Sequence, residues 1–179
     1  YTLSTWKPTP YVPKEGRFQA TYFGNISDGR ADSLIEVANA LASLNKPYSF
    51  DVYGPVWRDE DLQKLQSCPN LRYHKPVSYD QVRQLAEDSD LLVHVESFDP
   101  FIARDRKNAF SSKIMDCLAS GRPFLLYAPK EMAQSRFLLG SRASAYFAMS
   151  FSSLSEAIRR CQSKPNVSAF NFAPFLLCR

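Results

Sequence analysis

Short apolar segments alternate with segments of helical periodicity along most of this chain. Six segments have the length and composition of strands, namely residues 18–23, 48–53, 71–74, 91–95, 124–128 and 144–148. Segments with apolar residues at helical spacing follow them, at 30–45, 59–67, 79–88, 111–120, 131–139 and 154–161. Such alternation restricts the fold, because a strand can be joined to a parallel neighbour only by a long crossover, usually a helix.

The alternation predicts a single α/β domain. Strands joined through helices by right-handed crossovers give a parallel sheet with helices on both faces. We therefore predict a Rossmann-like, doubly wound domain of about six strands over residues 18–163. Residues 1–17 contain three prolines and are predicted to be a linker or arm, with Trp6 and Tyr11 as anchors. Residues 164–179, apolar but without a pattern, are predicted to be a C-terminal tail.

Composition narrows the class of partner. A length of 179 residues suits one domain with a tail, and 45% hydrophobic with 22% charged residues is typical of a soluble globular protein. The net charge is +4 and the basic residues are dispersed. This distribution argues against a dedicated nucleic-acid surface, but it allows a local pocket for a phosphorylated ligand.

The cysteines and histidines do not form a metal-binding pattern. Neither a CxxC spacing nor a histidine pair accompanies the four cysteines, Cys68, Cys117, Cys161 and Cys178. No metal site is predicted, and a reduced, cytoplasmic protein is favoured over a disulfide scaffold. Neither a membrane-spanning apolar run nor a signal-peptide pattern is recognisable. Because the chain starts at Tyr1, we expect a fragment or a processed form.

Residues 111–123, with the sequence SSKIMDCLASGRP, combine a helix start with a positive charge. Ser111 and Ser112 open the predicted helix as capping residues, and Gly121 ends it. Exposed N–H groups at a helix start attract anions, and Lys113 adds a full positive charge there. Asp116, one turn further on, could accept hydrogen bonds from a sugar hydroxyl. Taken alone, the stretch is better explained as a capped helix without a ligand.

Other candidate residues follow the predicted strands, where doubly wound sheets bind their ligands. Gly24 follows the first strand and would let a phosphate approach the backbone, with Arg30 nearby. Gly24 and Gly29 are five positions apart, so the GxGxxG fingerprint is absent, as is a GxxxxGK[ST] loop. Residues 96–110 form a long, polar loop leading into Ser111, and long loops of this kind are often functional or mobile. Most of the charges of this loop are predicted to be solvated.

Four stretches occur in an order that resembles the C-terminal, nucleotide-sugar-binding domain of GT-B-fold glycosyltransferases of the group 1 or family 4 type. They are Tyr22–Ile26, Phe50–Pro55, Asn70–Ser78 and Ser111–Pro123. The last is similar to the family's segment SK-hydrophobic-x-E-x-L-A-x-G-x-P and is fairly specific, whereas the others are general features of Rossmann-like domains. The likeness covers about residues 18–163.

The resemblance implies that a nucleotide diphosphate sugar, of the UDP or GDP type, is the substrate, with no separate cofactor and no metal. It would bind between this domain and an N-terminal Rossmann-like domain that holds the acceptor. The resemblance assigns donor binding to Gly24, Asn25, Arg30, Pro76, Val77, Asn108, Ser111, Ser112, Lys113 and Asp116. The diphosphate would lie near Gly24 and Asn25 and be held by residues 111–113, with Arg30 a weaker candidate for its counter-charge. The base would lie against the 76–77 backbone and the ribose at Asp116. No catalytic residue is assigned.

The sequence departs from the family pattern at the paired carboxylates. Many members have two glutamates eight positions apart, where this chain has Asn108 and Asp116. Asn108 cannot supply the first carboxylate, and the shorter Asp116 would need a closer ribose or a bridging water. The glycine-rich turn that precedes the pair is absent as well. These changes indicate a divergent branch or weakened donor binding.

Two classes of function remain open. The first is the donor-binding half of a glycosyltransferase, acting with retention on an unknown sugar, lipid or protein acceptor. This fragment would then bind nucleotides but hardly turn over alone, and membrane association would come through the N-terminal half. The second is a non-catalytic Rossmann-like nucleotide-binding or protein-interaction module. A nucleotide-sugar epimerase is less favoured, because counterparts of its catalytic residues are not recognisable.

Overall fold

Six parallel strands form one sheet in a computed structural model that describes residues 10–44, 46–140 and 146–163. The strands are β1 (Phe18–Phe23), β2 (Tyr48–Tyr53), β3 (Arg72–His74), β4 (Leu91–Val95), β5 (Phe124–Tyr127) and β6 (Tyr146–Ala148). Every neighbouring pair is parallel, and the order across the sheet is β3-β2-β1-β4-β5-β6. The predicted doubly wound α/β fold is confirmed.

Helices cover both faces of the sheet. They are α1 (Arg30–Ala42), α2 (Asp59–Ser67), α3 (Tyr79–Glu87), α4 (Pro100–Asp105), α5 (Lys113–Ala119), α6 (Ala133–Gly140) and α7 (Phe151–Ser163). The larger apolar core lies under α1, α2 and α7, where Leu34, Leu65 and Ile158 pack on the sheet. The smaller core lies on the other face, under α3, α5 and α6. Alternate residues of each strand therefore serve different cores, as the period of two requires.

The direction of winding reverses between β1 and β4. The chain runs outward through β2 and β3, returns to place β4 beside β1, and then runs outward through β5 and β6. In this pairing Ala20 lies opposite Leu91 and Tyr22 opposite Val93. A reversal of this kind leaves a crevice beyond the carboxyl ends of the two central strands, which is where open α/β sheets bind ligands.

The expected loop at residues 96–110 contains the helix α4, so that prediction was wrong over Pro100–Asp105. Asp99 caps this helix, because its Oδ1 accepts hydrogen bonds from the N–H groups of Phe101 (2.9 Å) and Ile102 (3.0 Å). Pro100 occupies the first turn, where its missing N–H costs nothing. The Asp-Pro pair is the sequence pattern that indicates this helix start.

The start of α5 also differs from the prediction. Ser112 is the N-cap residue, but its backbone is helical and its hydroxyl accepts no capping hydrogen bond. The first turn is closed by the backbone, through the N–H of Met115 and the carbonyl of Ser112 at 3.0 Å. Gly121 has a φ of 67° and ends the helix as predicted, since glycine adopts this left-handed conformation without strain.

The described part of the predicted N-terminal arm packs on the domain. The Tyr11 hydroxyl donates to Asp90 Oδ1 at 3.2 Å, and the Tyr11 ring lies under the Arg122 guanidinium at 5.6 Å. Tyr11 is thus the anchor expected for the arm, whereas Trp6 and the predicted tail at 164–179 lie outside the described residues. Over the three described ranges, no helix combines the length and the apolar character needed to cross a bilayer.

Candidate functional site

Two adjoining cavities open at the carboxyl edge of the sheet. The first cavity has a volume of about 300 Å³ and lies between the ends of β1 and β2, the segment after β3, and α5. The second cavity, of about 250 Å³, lies between the end of β1, the end of β4 and the segment that precedes α5. Gly24, Asn25 and Lys113 line both cavities. The two cavities therefore adjoin at these residues, where the strand order reverses.

Most of the residues that the sequence indicates as donor-binding lie around these cavities. The first is lined by Gly24, Asn25, Pro76, Val77, Ser112, Lys113 and Asp116. The second is lined by Gly24, Asn25, Arg30, Ser111 and Lys113. Asn108 lines neither, because its side chain is exposed and its Oδ1 accepts a hydrogen bond from Arg136 at 3.3 Å. The fold thus assembles residues that are far apart in sequence, and their role in binding stays a prediction.

Backbone forms part of the lining of the first cavity, where Gly24 and Gly54 meet, and Gly24 also lines the second cavity. The N–H of Gly24 donates to the Tyr53 carbonyl at 2.9 Å, which extends the β1–β2 pairing beyond the strands. A Cβ on Gly54 would overlap the carbonyl oxygen of Gly24, and one on Gly24 would lie 2.8 Å from the Tyr22 hydroxyl. Glycine is therefore required at 54 by this close approach, and the lack of a side chain at Gly24 leaves room for a ligand beside its backbone.

Lys113 carries the positive charge at the junction of the cavities. Its side chain crosses Gly24, with Cδ 3.4 Å from the position that a Cβ on that glycine would take. No carboxylate among the described residues lies within ion-pair distance of its ammonium group. The helix α5 has only seven residues, so its dipole is that of two turns, and the charge of Lys113 is the main attraction for an anion.

Asp116 lies one turn after Lys113, on the same side of α5, and lines the first cavity. Burial raises the pKa of its carboxyl group above the ordinary value of 3.8, while the charge of Lys113 opposes that rise. A half-buried carboxylate facing a cavity can accept two hydrogen bonds from a vicinal diol, because each of its oxygens is an acceptor. Such a group would suit a ribose.

The far wall of the first cavity is apolar and partly aromatic. Pro76 and Val77 line it together with Tyr53, Tyr79 and Val82. Apolar walls with aromatic side chains are common in pockets for flat ring systems, which bind by stacking and by burial. This wall therefore suits a heterocyclic base.

A network centred on the buried side chain of Asp51 keeps the aromatic wall in place. The Tyr53 ring stacks on His74 with 4.4 Å between centroids, and His74 Nε2 lies 2.7 Å from Asp51 Oδ1. Asp51 also accepts a hydrogen bond from Arg72 at 2.6 Å. The ring of Tyr53 is therefore fixed by side chains from two neighbouring strands.

Glu96 is a buried carboxylate that lines the second cavity, although most charges of the 96–110 loop were predicted to be solvated. It accepts hydrogen bonds from Arg30 Nη2 at 2.6 Å and from Gln134 Nε2 at 2.7 Å, and His94 Nε2 lies 3.2 Å away. Burial opposes ionisation, but the hydrogen bonds and charges of His94 and Arg30 outweigh it and hold the pKa of Glu96 below its ordinary value of 4.5. Glu96 therefore carries a negative charge inside the cavity.

This arrangement changes the expectation for Arg30. Its guanidinium was expected to serve as a counter-charge for a phosphate, but it forms an ion pair with Glu96. Arg106, on the segment after α4, lines the same cavity and lies 3.2 Å from Asp28. Both arginines therefore have carboxylate partners already. Within the three described ranges, no three acidic, histidine or cysteine side chains cluster as metal ligands would.

Comparison with known proteins gives one family match. A model of the family described as glycosyl transferase-like matches residues 30–169. Among curated proteins, no significant match was found. The family match covers the helices and strands from α1 to α7, and hence Lys113, Asp116 and Glu96.

Solved structures give a consistent likeness of fold. The lipopolysaccharide outer core galactosyltransferase WaaB is 13% identical with a TM-score of 0.59, and the likeness covers 89% of this chain and 43% of WaaB. Anabaena HepE in complex with UDP and glucose is 15% identical with a TM-score of 0.63, covering 86% of this chain and 41% of HepE. The C-terminal domain of the group 1 glycosyl transferase LpcC from Francisella tularensis is 11% identical with a TM-score of 0.60, and the likeness covers 92% of this chain and 89% of the LpcC domain.

At these identities the likeness concerns the fold alone. The fold of this chain is that of the C-terminal domain of GT-B glycosyltransferases, as the resemblance in the sequence predicted. The chain spans about two fifths of the length of WaaB and of HepE, with 43% and 41% of them covered.

Proposed function

The chain belongs to the glycosyl transferase-like family, and we propose that it binds the sugar donor of a glycosyltransferase reaction. The donor is a nucleotide diphosphate sugar of the UDP or GDP type. The observation that carries this proposal is the place of Lys113, whose side chain lines both cavities and crosses the bare backbone of Gly24. A diphosphate bridges a nucleoside and a sugar, and Lys113 is the cation that lies between two spaces of suitable size.

The proposal assigns each part of the donor to one region of the site. The base lies in the first cavity against Pro76 and Val77, and the ribose hydroxyls donate to Asp116. The diphosphate contacts Lys113 and the backbone of Gly24, and the sugar enters the second cavity. HepE, which has a similar fold, was crystallised in complex with UDP and glucose, and this supports a donor of the same class.

The proposal also includes a second domain for the transfer step. In the proposal a second Rossmann-like domain holds the acceptor, a sugar, lipid or protein, and closes over the carboxyl edge of the sheet. Transfer proceeds with retention of configuration, and Lys113 stabilises the negative charge that develops on the departing diphosphate. The nucleotide sugar is the substrate, and the proposal includes neither a metal nor a cofactor. On its own, the chain is expected to bind nucleotides without measurable transfer.

Isothermal titration with UDP and with GDP tests the proposal. We expect one of them to bind, and Lys113→Ala to weaken that binding by about tenfold or more, since a hydrogen bond to a charged group contributes about 1.5–3 kcal/mol. The control is Lys130→Ala, which removes an exposed lysine that lines neither cavity. Failure of both nucleotides to bind, or equal affinities of the two variants, would refute the proposal.

A second candidate is a non-catalytic module with the same fold. The observation in its favour is Asn108, which stands in place of a family carboxylate and lies outside both cavities. If the module binds protein alone, neither nucleotide will titrate. If it binds nucleotides without catalysis, UDP or GDP will bind, but the chain joined to its partner domain will show no transfer.

A further inference from the structure

The second cavity has walls of balanced charge. Two ion pairs line it, between Arg30 and Glu96 at 2.6 Å and between Arg106 and Asp28 at 3.2 Å. Lys113 is the cation of this lining that has no such partner among the described residues, and a bound diphosphate would neutralise it. A ligand group that lies in this cavity beyond the diphosphate therefore contacts no unpaired positive charge.

Two buried polar side chains face this space. Glu96 and His94 are each 4% exposed, yet both line the cavity. Glu96 is held by donors from α1, β4 and α6, so its orientation is fixed before any ligand arrives. Among the residues that the structure describes, Oε2 of Glu96 has one hydrogen-bond partner, Arg30, and a carboxylate oxygen can accept a second hydrogen bond. A hydroxyl group that donates to it would form a charge-assisted hydrogen bond.

We infer that the second cavity selects a neutral, hydroxyl-bearing sugar over an acidic one, and that Glu96 is the residue that makes the selection with His94 beside it. The inference rests on the proposed function, since it assigns the sugar of the donor to this cavity. A neutral sugar donates a hydroxyl to Glu96. A uronic acid would place a second carboxylate against Glu96, and like charges repel strongly where water is excluded.

The substitution Glu96→Gln tests the selection, because it keeps the size of the side chain and removes its charge. It also removes the nearer of the two carboxylate partners of Arg30, leaving Asp28 at 3.9 Å, so the net charge of the cavity lining becomes more positive by one unit. The measured quantity is the ratio of the affinities for UDP-glucose and UDP-glucuronic acid in isothermal titration. If the chain prefers GDP, the pair is GDP-mannose and GDP-mannuronic acid. Because both ligands carry the same nucleotide, a general loss of affinity leaves the ratio unchanged.

In the original chain we expect the neutral sugar to bind more tightly. In Glu96→Gln its affinity should fall about tenfold, as expected for a lost hydrogen bond to a charged group, and the affinity for the acidic sugar should rise. The matched control is Asp90→Asn, which alters another buried carboxylate, 2% exposed, at the opposite end of β4. Asp90 accepts a hydrogen bond from the N–H of Gln19 at 2.9 Å and lines neither cavity, so the ratio should not change.

A second variant keeps the inference testable if Glu96→Gln does not fold. His94→Asn replaces the imidazole on the same wall with a shorter amide and leaves the Arg30–Glu96 ion pair intact. This substitution should lower the affinity for the neutral sugar without raising the affinity for the acidic sugar. An affinity ratio that is the same in Glu96→Gln, His94→Asn and the original chain overturns the inference alone. Absence of binding by UDP and GDP overturns the proposed function, and the inference with it.

Discussion

Alanine in place of Gly54 should destabilise the domain more than its single added methyl group suggests. The new Cβ would overlap the carbonyl oxygen of Gly24 and lie 2.9 Å from its carbonyl carbon. Both atoms are backbone, so no side-chain rotation relieves the overlap, and the loops after β1 and β2 must separate. Separation strains the hydrogen bonds from Gly24 N–H to the Tyr53 carbonyl and from Ile26 N–H to the Pro55 carbonyl, at 2.9 and 3.0 Å.

The expected loss follows from these contacts. Overpacking costs about 1–3 kcal/mol, and each of the two backbone hydrogen bonds contributes about 1 kcal/mol. We expect Gly54→Ala to lower the free energy of unfolding by about 3–5 kcal/mol, measured by urea denaturation followed by far-ultraviolet circular dichroism. The control is Gly140→Ala at the end of α6, where a Cβ meets nothing within 4 Å and helix propensity favours alanine. A loss below about 1 kcal/mol in Gly54→Ala would refute the close approach of the two glycines.

Two further predictions concern ligand binding. Burial raises the pKa of Asp116 above 3.8, and ribose hydroxyls donate to its ionised form, so nucleotide affinity should increase as the pH rises through that pKa. Titrations at several pH values should show this increase in the original chain and not in Asp116→Asn; an identical pH profile would contradict a contact with the ribose. Trp57 Nε1 donates to Asn25 Oδ1 at 2.7 Å, and Asn25 lines both cavities, so a bound nucleotide should change the fluorescence of Trp57. Trp57→Phe should abolish the change although Trp6 remains, and a persisting response would place the ligand elsewhere.

The sheet could be predicted because its strands are short and apolar on both faces. β4 shows this most clearly, since all five of its residues are buried between helices and nearly all of them are apolar. The helix α4 was missed because its six residues include none that are buried, so it has no apolar periodicity to detect. Only the capping pattern Asp99-Pro100 indicated it. Short helices that are stabilised by a cap are therefore the part of this fold that periodicity does not reveal.

The residues of the site, too, could be predicted from the sequence only in part. Lys113 and Asp116 could be proposed from the sequence, because a helix start after a buried strand places them at the carboxyl edge. The partners of Glu96 could not, because Arg30 and Gln134 lie 66 and 38 positions away from it in the sequence and only the packing of α1 and α6 on the sheet brings them to it. From sequence alone, a single charged residue in a polar segment is interpreted as solvated, because the residue that forms its ion pair in the fold is not known. Burial of Glu96 thus became apparent only in three dimensions.

The unequal size of the two apolar cores has a consequence for local unfolding. Opening a face of the sheet exposes its core, so the smaller core under α3, α5 and α6 should open at a lower free energy than the larger core under α1, α2 and α7. Lys113 and Asp116 belong to α5, and hence to the face that opens first. A nucleotide that binds α5 and the end of β1 together would hold this face closed. Ligand binding should therefore slow amide hydrogen exchange in α5 more than in α1.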